Sequence, residues 1–467
     1  MVVGLEVHTE LLTATKLFCG CANRFGAEPN TQVCPTCLGL PGSLPVLNER
    51  AVELAMAIGF ALHCSVEPST FHRKNYFYPD MPKDYQISQY DLPINVGGYL
   101  DLPDASRVSI ERAHIEEDTG KSTHLGGSGR LHGADRSLVD YNRSGVPLVE
   151  IVSGPDMTSA AQARAYASEL RGVLVAVGAS DGRMEEGSLR VDANVSVRRV
   201  GEPLGTRCEI KNLNSLRSVQ RAIDFEAARQ VALLSDGGVV RQETRHWDEN
   251  DEVTSTLRTK EEAEDYRYFR EPDLVDLAPD EAWRDRVRAS LAPLPAERRA
   301  ALAARLPGAT PAQLDALVAV VDLGLEGYVH AAADAGWDAA LALARAANEV
   351  AAGLEGRGRL SAAAFAEVVG LEQRGELSAT QAKSVLGEIL AHGGDPRAIA
   401  AARGFERLDE SALHDTVSAL VDEHPEEWSR YRNGDDKLAQ FFVGLVMKAT
   451  RGQANGKAVI ADLEARR

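Results

Sequence analysis

Apolar and polar residues alternate in two segments of the first two hundred positions. In segment 3–11 most odd positions are apolar, whereas Glu6 and His8 occupy even positions. Successive side chains of a strand point to opposite faces, so this pattern predicts a strand with one buried and one polar face. Segment 189–197 repeats the pattern, with Asp192 among its polar even positions. Together the two segments predict a sheet whose one face is a polar floor.

Other segments repeat apolar residues at helical spacing. Segments 166–177 and 216–231 carry them three or four positions apart, and the second follows a cap-like turn that ends at Ser215. Helical spacing places such residues on one stripe that packs against a core. We therefore predict an α+β fold, in which helices cover the apolar face of a curved antiparallel sheet and leave the polar face free for a ligand.

The pattern changes near residue 290. Beyond the proline-rich segment 291–295 the chain is rich in alanine and reads as helical, and a second break falls at 393–396. We predict three domains, listed here with their bounds: a mixed α/β domain over 1–290, a helical domain over 291–394 and a small helical tail over 395–467.

Composition and charge narrow the classes of function. The 467 residues carry 51 basic and 69 acidic side chains, so a formal net charge of −18 argues against a protein that simply coats nucleic acid. The segment 430–467 is an exception with an excess of basic residues, and a local RNA contact there stays open. Neither a membrane-spanning run nor a leader-like pattern is found, so we expect a cytoplasmic protein.

Four of the six cysteines form two close pairs. Cys19 and Cys21 flank one residue, and after twelve further residues Cys34 and Cys37 flank two. Such spacing is typical of a structural zinc site with four thiolate ligands over 19–37. The alternative is a set of reduced, buried thiols.

Acidic residues recur in several short segments of the first domain. Magnesium in proteins is usually held by a few carboxylates together with substrate phosphates, and a histidine ligand would also admit manganese or zinc. The alternative for each is a solvated surface charge. The candidates are Glu6, His8, Glu116, Glu117, Asp118, Glu150, Glu185, Glu186 and Asp192.

Segment 72–89 mixes basic, amide and aromatic side chains, which suits a loop that holds a phosphate chain and stacks a base. A surface loop whose tyrosines cover a core edge is the alternative. Segment 120–122 resembles the end of a phosphate-binding P-loop, but Ile115 stands where that motif needs glycine. No motif for a nucleophilic serine is present, so metal-assisted phosphoryl transfer fits the residue types better than covalent catalysis.

Several long segments of the chain have the character of family motifs. Two of them are the opening Val3-Gly-Leu-Glu-Val-His8 and the stretch Val139-Asp-Tyr-Asn-Arg-Ser-Gly-Val-Pro-Leu-Val-Glu-Ile151. The others are 73–80, 185–194, 211–215, 265–269, 442–448 and 452–455. These segments resemble the B subunit of the bacterial tRNA-dependent amidotransferases, and the resemblance runs nearly from end to end.

The resemblance implies a specific fold and reaction. The fold is a cradle domain similar to that of glutamine synthetase, followed by a helical domain and a tRNA-binding tail. The enzyme is a heterotrimer whose A subunit is a glutaminase and whose C subunit is a small stabilising partner. Its B subunit uses ATP and Mg²⁺ to phosphorylate the side-chain carboxylate of Glu-tRNA(Gln) or Asp-tRNA(Asn), and ammonia from the glutaminase then displaces the phosphate.

The resemblance also implies roles for individual residues. Magnesium ligands match Glu6, His8 and Glu117, with Glu116 beside them, and Glu150, Glu186 and Asp192 match catalytic positions more loosely. Residues expected at the nucleotide or the tRNA acceptor end are Lys74, Asn75, Tyr76, Tyr78, Lys83 and Gln86, and those expected to bind tRNA in the tail are Lys448, Arg451 and Lys457. Two rival hypotheses are an amide ligase that acts on free glutamate and a zinc-stabilised RNA-binding scaffold without chemistry.

Overall fold

The computed structural model describes residues 1–126, 134–259, 266–405, 410–450, 454 and 456–467. These residues form two compact units, Met1–Pro295 and Ala296–Arg467. The first unit combines a large sheet with helices, and the second is built from helices, so the predicted α+β class is confirmed.

Fifteen strands lie in the described part of the first unit. They are β1 (Val2–Glu10), β2 (Ser65–Val66), β3 (His72–Asn75), β4 (Tyr85–Ser88), β5 (Asn95–Val96), β6 (Tyr99–Asp101), β7 (Arg107–Glu117), β8 (Lys121–Leu125), β9 (Arg136–Asp140), β10 (Pro147–Ser153), β11 (Leu189–Ser196), β12 (Cys208–Leu213), β13 (Glu243–Asp248), β14 (Val253–Thr259) and β15 (Phe269–Arg270). Strands β8 and β9 form a separate two-stranded sheet.

The other thirteen strands form one sheet. Its main path runs β14-β13-β12-β11-β1-β10-β7-β4-β3-β15, so β1 lies at the centre between β10 and β11. Neighbouring strands are antiparallel except for β12 and β13, which are parallel. The sheet is therefore mixed rather than purely antiparallel, because the chain returns through a long helix between these two strands.

One face of the sheet is covered by helices. The helices of this unit are α1 (Glu49–Ala61), α2 (Ala160–Ala176), α3 (Leu216–Ser235) and α4 (Glu281–Ala289). The odd positions of β1 pack with apolar residues of these helices in a single buried cluster, and Val3, Leu5 and Val7 are all at most 1% exposed. Ser215 caps α3 by accepting a hydrogen bond from the backbone of Ser218. The predicted polar floor is thus the opposite face.

The second unit contains two separate buried clusters. Its helices are α5 (Pro295–Ala303), α6 (Pro311–Asp322), α7 (Glu326–Asp334), α8 (Ala339–Arg345), α9 (Ala362–Gln373), α10 (Ala379–His392), α11 (Pro396–Ala402), α12 (Glu410–Glu423), α13 (Pro425–Arg432), α14 (Leu438–Ala449) and α15 (Gly456–Arg466). A π-helical turn, Ala346–Val350, and a 3-10 helix, Leu354–Arg359, follow α8. Helix α11 packs with the first cluster and α12 to α15 form the second, so the change of core falls after Phe405, beyond the expected boundary at 395.

Among the described residues no single helix is long and apolar enough to cross a membrane. One bent pair, α6 and α7, passes that test of length and composition only when the two helices are taken together.

Candidate active site

The polar floor is built by three neighbouring strands at the centre of the sheet. Strand register places His8 of β1 opposite Glu150 of β10, and Glu150 opposite His114 of β7. Glu116 follows two positions along β7 and therefore points to the same face. Side chains from three strands meet here because each strand exposes its alternate positions to this face.

His8, Glu116 and Glu150 form a compact group. The Nε2 atom of His8 lies 3.3 Å from Oε2 of Glu150 and 3.8 Å from Oε1 of Glu116, and one ligand atom from each residue falls within 4.8 Å of the others. Two carboxylate groups and an imidazole at this spacing fit a divalent cation such as Mg²⁺ or Mn²⁺. The predicted ligands His8, Glu116 and Glu150 are therefore brought together.

The electrostatics of this group also favour a cation. Burial and the charge of Glu150 raise the pKa of Glu116 to about 7. Burial opposes the charge on His8, but the hydrogen bond and charge of Glu150 outweigh it and raise the pKa of His8 to about 9. The charge of Glu150 thus disfavours a further negative charge on Glu116 and favours positive charge on His8.

Two further residues close to this group were not among the candidates chosen from the sequence. His114 is 3% exposed, and its Nε2 lies 3.9 Å from Oε2 of Glu116 and 4.0 Å from Oε2 of Glu150. Burial lowers the pKa of His114 to about 4, so its imidazole is neutral near pH 7. Arg112 approaches Oε1 of Glu150 to 3.5 Å. Alternation along β7 would have placed both residues on the face of Glu116.

The structure does not bring Glu117 to His8. Glu117 lies on the opposite face of β7, where it is 2% exposed and accepts hydrogen bonds from Lys83 and, at 3.0 Å, from the backbone of Ile87. Both Glu117 and Lys83 line a small cavity of about 60 Å³ beside the cysteine segment. Of the two neighbours that the resemblance implied as magnesium ligands, Glu116 thus lies with His8 and Glu117 does not, and Lys83 is turned away from the floor.

A second polar group continues the floor along β1. Asn194 donates a hydrogen bond to Glu6 at 2.9 Å, and Nζ of Lys211 lies 2.7 Å from Oδ2 of Asp192 and 3.4 Å from Oε1 of Glu209. Burial and the neighbouring carboxylates raise the pKa of Glu6. Burial opposes the charge of Lys211, but Asp192 and Glu209 outweigh it and raise the pKa of its ammonium group. Glu6 and Asp192 therefore lie near the group of His8, Glu116 and Glu150 without belonging to it.

A pocket of about 470 Å³ opens over both groups. His8, Glu116, Glu150, Asp192 and Lys211 line it from the floor. Of the residues expected at the nucleotide or the acceptor end, three line the same pocket: Lys74, Tyr76 and Gln86. The pocket therefore places the group of His8, Glu116 and Glu150 beside basic, amide and aromatic side chains.

The other residues of that segment have different surroundings. The amide of Asn75 donates to the backbone carbonyls of Tyr266 and Arg267, both at 2.9 Å. Tyr78 is 41% exposed and stacks on Tyr76 with ring centroids 4.5 Å apart. Asn75 thus fixes the loop and does not line the pocket.

Glu186, the remaining catalytic candidate, lies in the turn before β11. Arg183 binds its carboxylate at 2.6 Å, and Glu186 is not among the residues that line the pocket. Glu10 was not selected from the sequence, although burial and Asp118 raise its pKa to about 7. Asp118 is itself bound by Arg190 at 2.8 Å.

The four clustered cysteines converge as their spacing predicts. One sulphur atom from each of Cys19, Cys21, Cys34 and Cys37 lies within 4.8 Å of the others. Thiolates bound tetrahedrally at about 2.3 Å from zinc are about 3.8 Å apart, so this geometry fits a zinc ion after small adjustments. The backbone of Cys34 already donates to Sγ of Cys37 at 3.1 Å, which orients that ligand.

Two of the three residues that were expected to bind tRNA in the tail lie in described helices. Lys448 is exposed in the last turn of α14, and the helix packs into its core through the buried Phe442 and Val446. Lys457 lies in α15. The prediction for Arg451 falls outside the described residues.

Comparison with known proteins assigns the family. Residues 1–285 match the GatB/GatE catalytic domain, and residues 327–466 match the GatB domain. The chain is 52% identical to the B subunit of the aspartyl/glutamyl-tRNA(Asn/Gln) amidotransferase of Frankia casuarinae, over 98% of this chain and 94% of that protein. Proteins of the same name from Nocardia farcinica and Streptomyces avermitilis are 50% and 48% identical over the same shares of each chain. This chain belongs to the family of tRNA-dependent amidotransferase B subunits.

Proposed function

We propose that this chain is the component of a tRNA-dependent amidotransferase that activates the side-chain carboxylate of Glu-tRNA(Gln), Asp-tRNA(Asn) or both. The family consists of ligases that form carbon–nitrogen bonds with glutamine as the amide donor. Family membership over nearly the whole chain supports this function.

The observation that carries the proposal is the group of His8, Glu116 and Glu150 on the floor of the 470 Å³ pocket. These three residues would hold Mg²⁺, or Mn²⁺. Such an ion offsets the negative charge of nucleotide phosphates and of a carboxylate that approaches them. The group lies on three paired strands, which is a rigid support for a site.

The protein's own part in the reaction is to bind and orient. A free carboxylate is a poor electrophile, since attack by ammonia would have to expel oxide, whereas a phosphorylated carboxylate has a good leaving group. Lys74 and Tyr76 on one wall would contact the nucleotide or the acceptor end, and Gln86 beside them offers an amide. Most of the acceleration in phosphoryl transfer comes from such positioning and charge stabilisation.

Several finer features belong to the same proposal. The first unit would be the glutamine-synthetase-like cradle, the cysteines would hold a structural zinc ion, and the tail with Lys448 would bind tRNA. The partners would be a glutaminase, the A subunit, which supplies ammonia, and a small C subunit, all in the cytoplasm. The relatives are named as B subunits, which supports a complex of several chains.

The test is ATP cleavage by the complex purified with the A and C subunits. Glu-tRNA(Gln), Asp-tRNA(Asn) and uncharged tRNA are compared as stimulants, with ammonium chloride present. We expect stimulation only by a mischarged tRNA, together with amidated product, and loss of both in the His8→Ala complex. Stimulation by free glutamate without tRNA would indicate a small-molecule ligase, and absence of ATP cleavage with every tRNA would indicate a scaffold.

A further inference from the structure

One cation in the pocket has no role in the function proposed so far. Lys211 lies near the end of β12, and its side chain lines the pocket over the floor. It is also the first residue of segment 211–215, which resembles the family in sequence. Its ammonium group lies 2.7 Å from Asp192 and 3.4 Å from Glu209, and its side chain is still 36% exposed. The amine therefore reaches the pocket while two carboxylates hold it.

The backbone around Lys211 is fixed. Strand β12 is bonded on both sides, and register places Lys211 opposite His246 of β13. The next residue, Asn212, has a φ of +71°, and its amide donates to the backbone carbonyl of Trp247 at 2.9 Å. A left-handed conformation costs a non-glycine residue about 1 kcal/mol or more and persists where surrounding contacts enforce it. The flexible stem of Lys211 thus starts from a rigid position.

Lys211 is also close to the group of His8, Glu116 and Glu150. Asp192 lies opposite Glu6 in the register of β1 and β11, and Glu6 is two residues from His8 on the same face. Two such residues on one strand face are about 7 Å apart. A phosphate chain bound at His8, Glu116 and Glu150 would therefore have its terminal oxygens within reach of the ammonium group of Lys211.

We propose that Lys211 is a catalytic residue that donates hydrogen bonds to the phosphoryl group during its transfer; this role rests on the proposed function. In that step a carboxylate oxygen of the aminoacyl group forms a bond to the terminal phosphorus. The bond from that phosphorus to the bridging oxygen breaks, and ADP leaves with the electron pair. Lys211 keeps its proton and stabilises charge on the phosphoryl oxygens, for which it leaves Asp192.

The test compares Lys211→Met and Lys211→Arg in the complete complex with Glu-tRNA(Gln) and Asp-tRNA(Asn). Loss of one preorganised donor to developing charge typically lowers kcat by a factor of about 100 to 1,000. We expect that loss in Lys211→Met, with the KM for ATP changed less than about threefold and a partial recovery of kcat in Lys211→Arg. Mn²⁺ affinity, measured by electron paramagnetic resonance, should stay unchanged in both variants.

The matched control is Lys383→Met. Lys383 also pairs with a carboxylate, Glu349 at 3.4 Å, but it lies in the second unit and is 66% exposed. Its replacement should leave kcat unaltered. If Lys211→Met does not fold, Lys211→Gln, which retains a donor for Asp192, is judged by the same criteria.

The outcomes separate this inference from the proposed function. A wild-type complex without ATP cleavage on mischarged tRNA would overturn both. An active wild type with Lys211→Met within threefold of its kcat would overturn only the role of Lys211. A parallel loss of Mn²⁺ binding in Lys211→Met would make Lys211 a structural counter-ion and would equally overturn the proposal.

Discussion

Replacement of the buried Glu226 by glutamine is expected to destabilise the first unit by about 3 kcal/mol at pH 7, the lower end of the cost of breaking a buried ion pair. Glu226 of α3 is fully buried and accepts hydrogen bonds from Arg229 at 2.6 and 2.9 Å and from Thr254 at 2.9 Å. Its carboxylate also lies 3.2 Å from the guanidinium group of Arg245 of β13. Glu243 balances part of the charge of Arg245. Without the negative charge of Glu226, Arg245 would remain buried with less negative charge beside it.

The pH dependence follows from the pKa of Glu226. Burial opposes its ionisation, but hydrogen bonds from Arg229, Gln230 and Thr254 outweigh burial and lower the pKa below the usual 4.5. A carboxylate with a lowered folded-state pKa stabilises the protein above its unfolded-state pKa. That stability is lost as the pH falls through the folded-state pKa. The difference between wild type and Glu226→Gln should therefore shrink below about pH 4.5.

Amide hydrogen exchange of α3 measures this effect for the first unit alone, since a chain with two units need not unfold in one step. An energy of 3 kcal/mol corresponds to about 100-fold faster exchange. The control is Glu252→Gln, which removes the exposed pair of Glu252 with Arg221 and should cost less than about 1 kcal/mol. Exchange in Glu226→Gln within fivefold of wild type at pH 7, or a difference that persists unchanged at pH 3, would refute the reasoning.

Three further predictions concern the sites. Glu116→Gln or Glu150→Gln should weaken Mn²⁺ binding, measured by calorimetry, at least about 10-fold. Glu117→Gln should not weaken it, because Glu117 lies on the other face of the sheet. Equal losses of affinity in all three variants would disprove the assignment of Glu116 and Glu150 as metal ligands. Cys37→Ser should reduce the zinc content from one ion per chain, measured by elemental analysis, and zinc in neither protein would leave four plain thiols. Lys448→Glu should weaken tRNA binding and reduce the slope of its salt dependence by about 1, and an unaltered slope would place the RNA elsewhere.

Alternation predicted much of the floor, because a strand with one apolar face can present its polar residues in only one direction. Glu6 and His8 lie on the polar face of β1 that this pattern predicts. The same rule applied to β7 distinguishes Glu116 from Glu117, because Glu117 shares its face with the apolar Ile115. A shift of one residue reverses the face, and the likeness of motif, which carries no information on strand phase, implied both Glu116 and Glu117 as ligands.

Other parts of the site depend on pairing between distant strands. Lys211 and Glu209 reach the floor only because β12 lies between β11 and β13, and nothing local in the sequence indicates the parallel pairing of β12 with β13. The cysteines were predictable for the opposite reason. These four cysteines lie close together in the chain, so their spacing alone limits how their sulphur atoms can be arranged.

The central position of β1 has a consequence for the order of events during synthesis. Strand β1 leaves the ribosome before its partner β11, which begins at Leu189, about 180 residues later, a delay of about 10 to 40 s at usual rates of translation. Throughout that interval the edge of β1 that pairs with β11 lacks its partner, and His8 cannot meet Glu150 until β10 has emerged. The group of His8, Glu116 and Glu150 therefore forms only after these distant strands meet, and the nascent chain must keep an apolar strand from pairing wrongly until then.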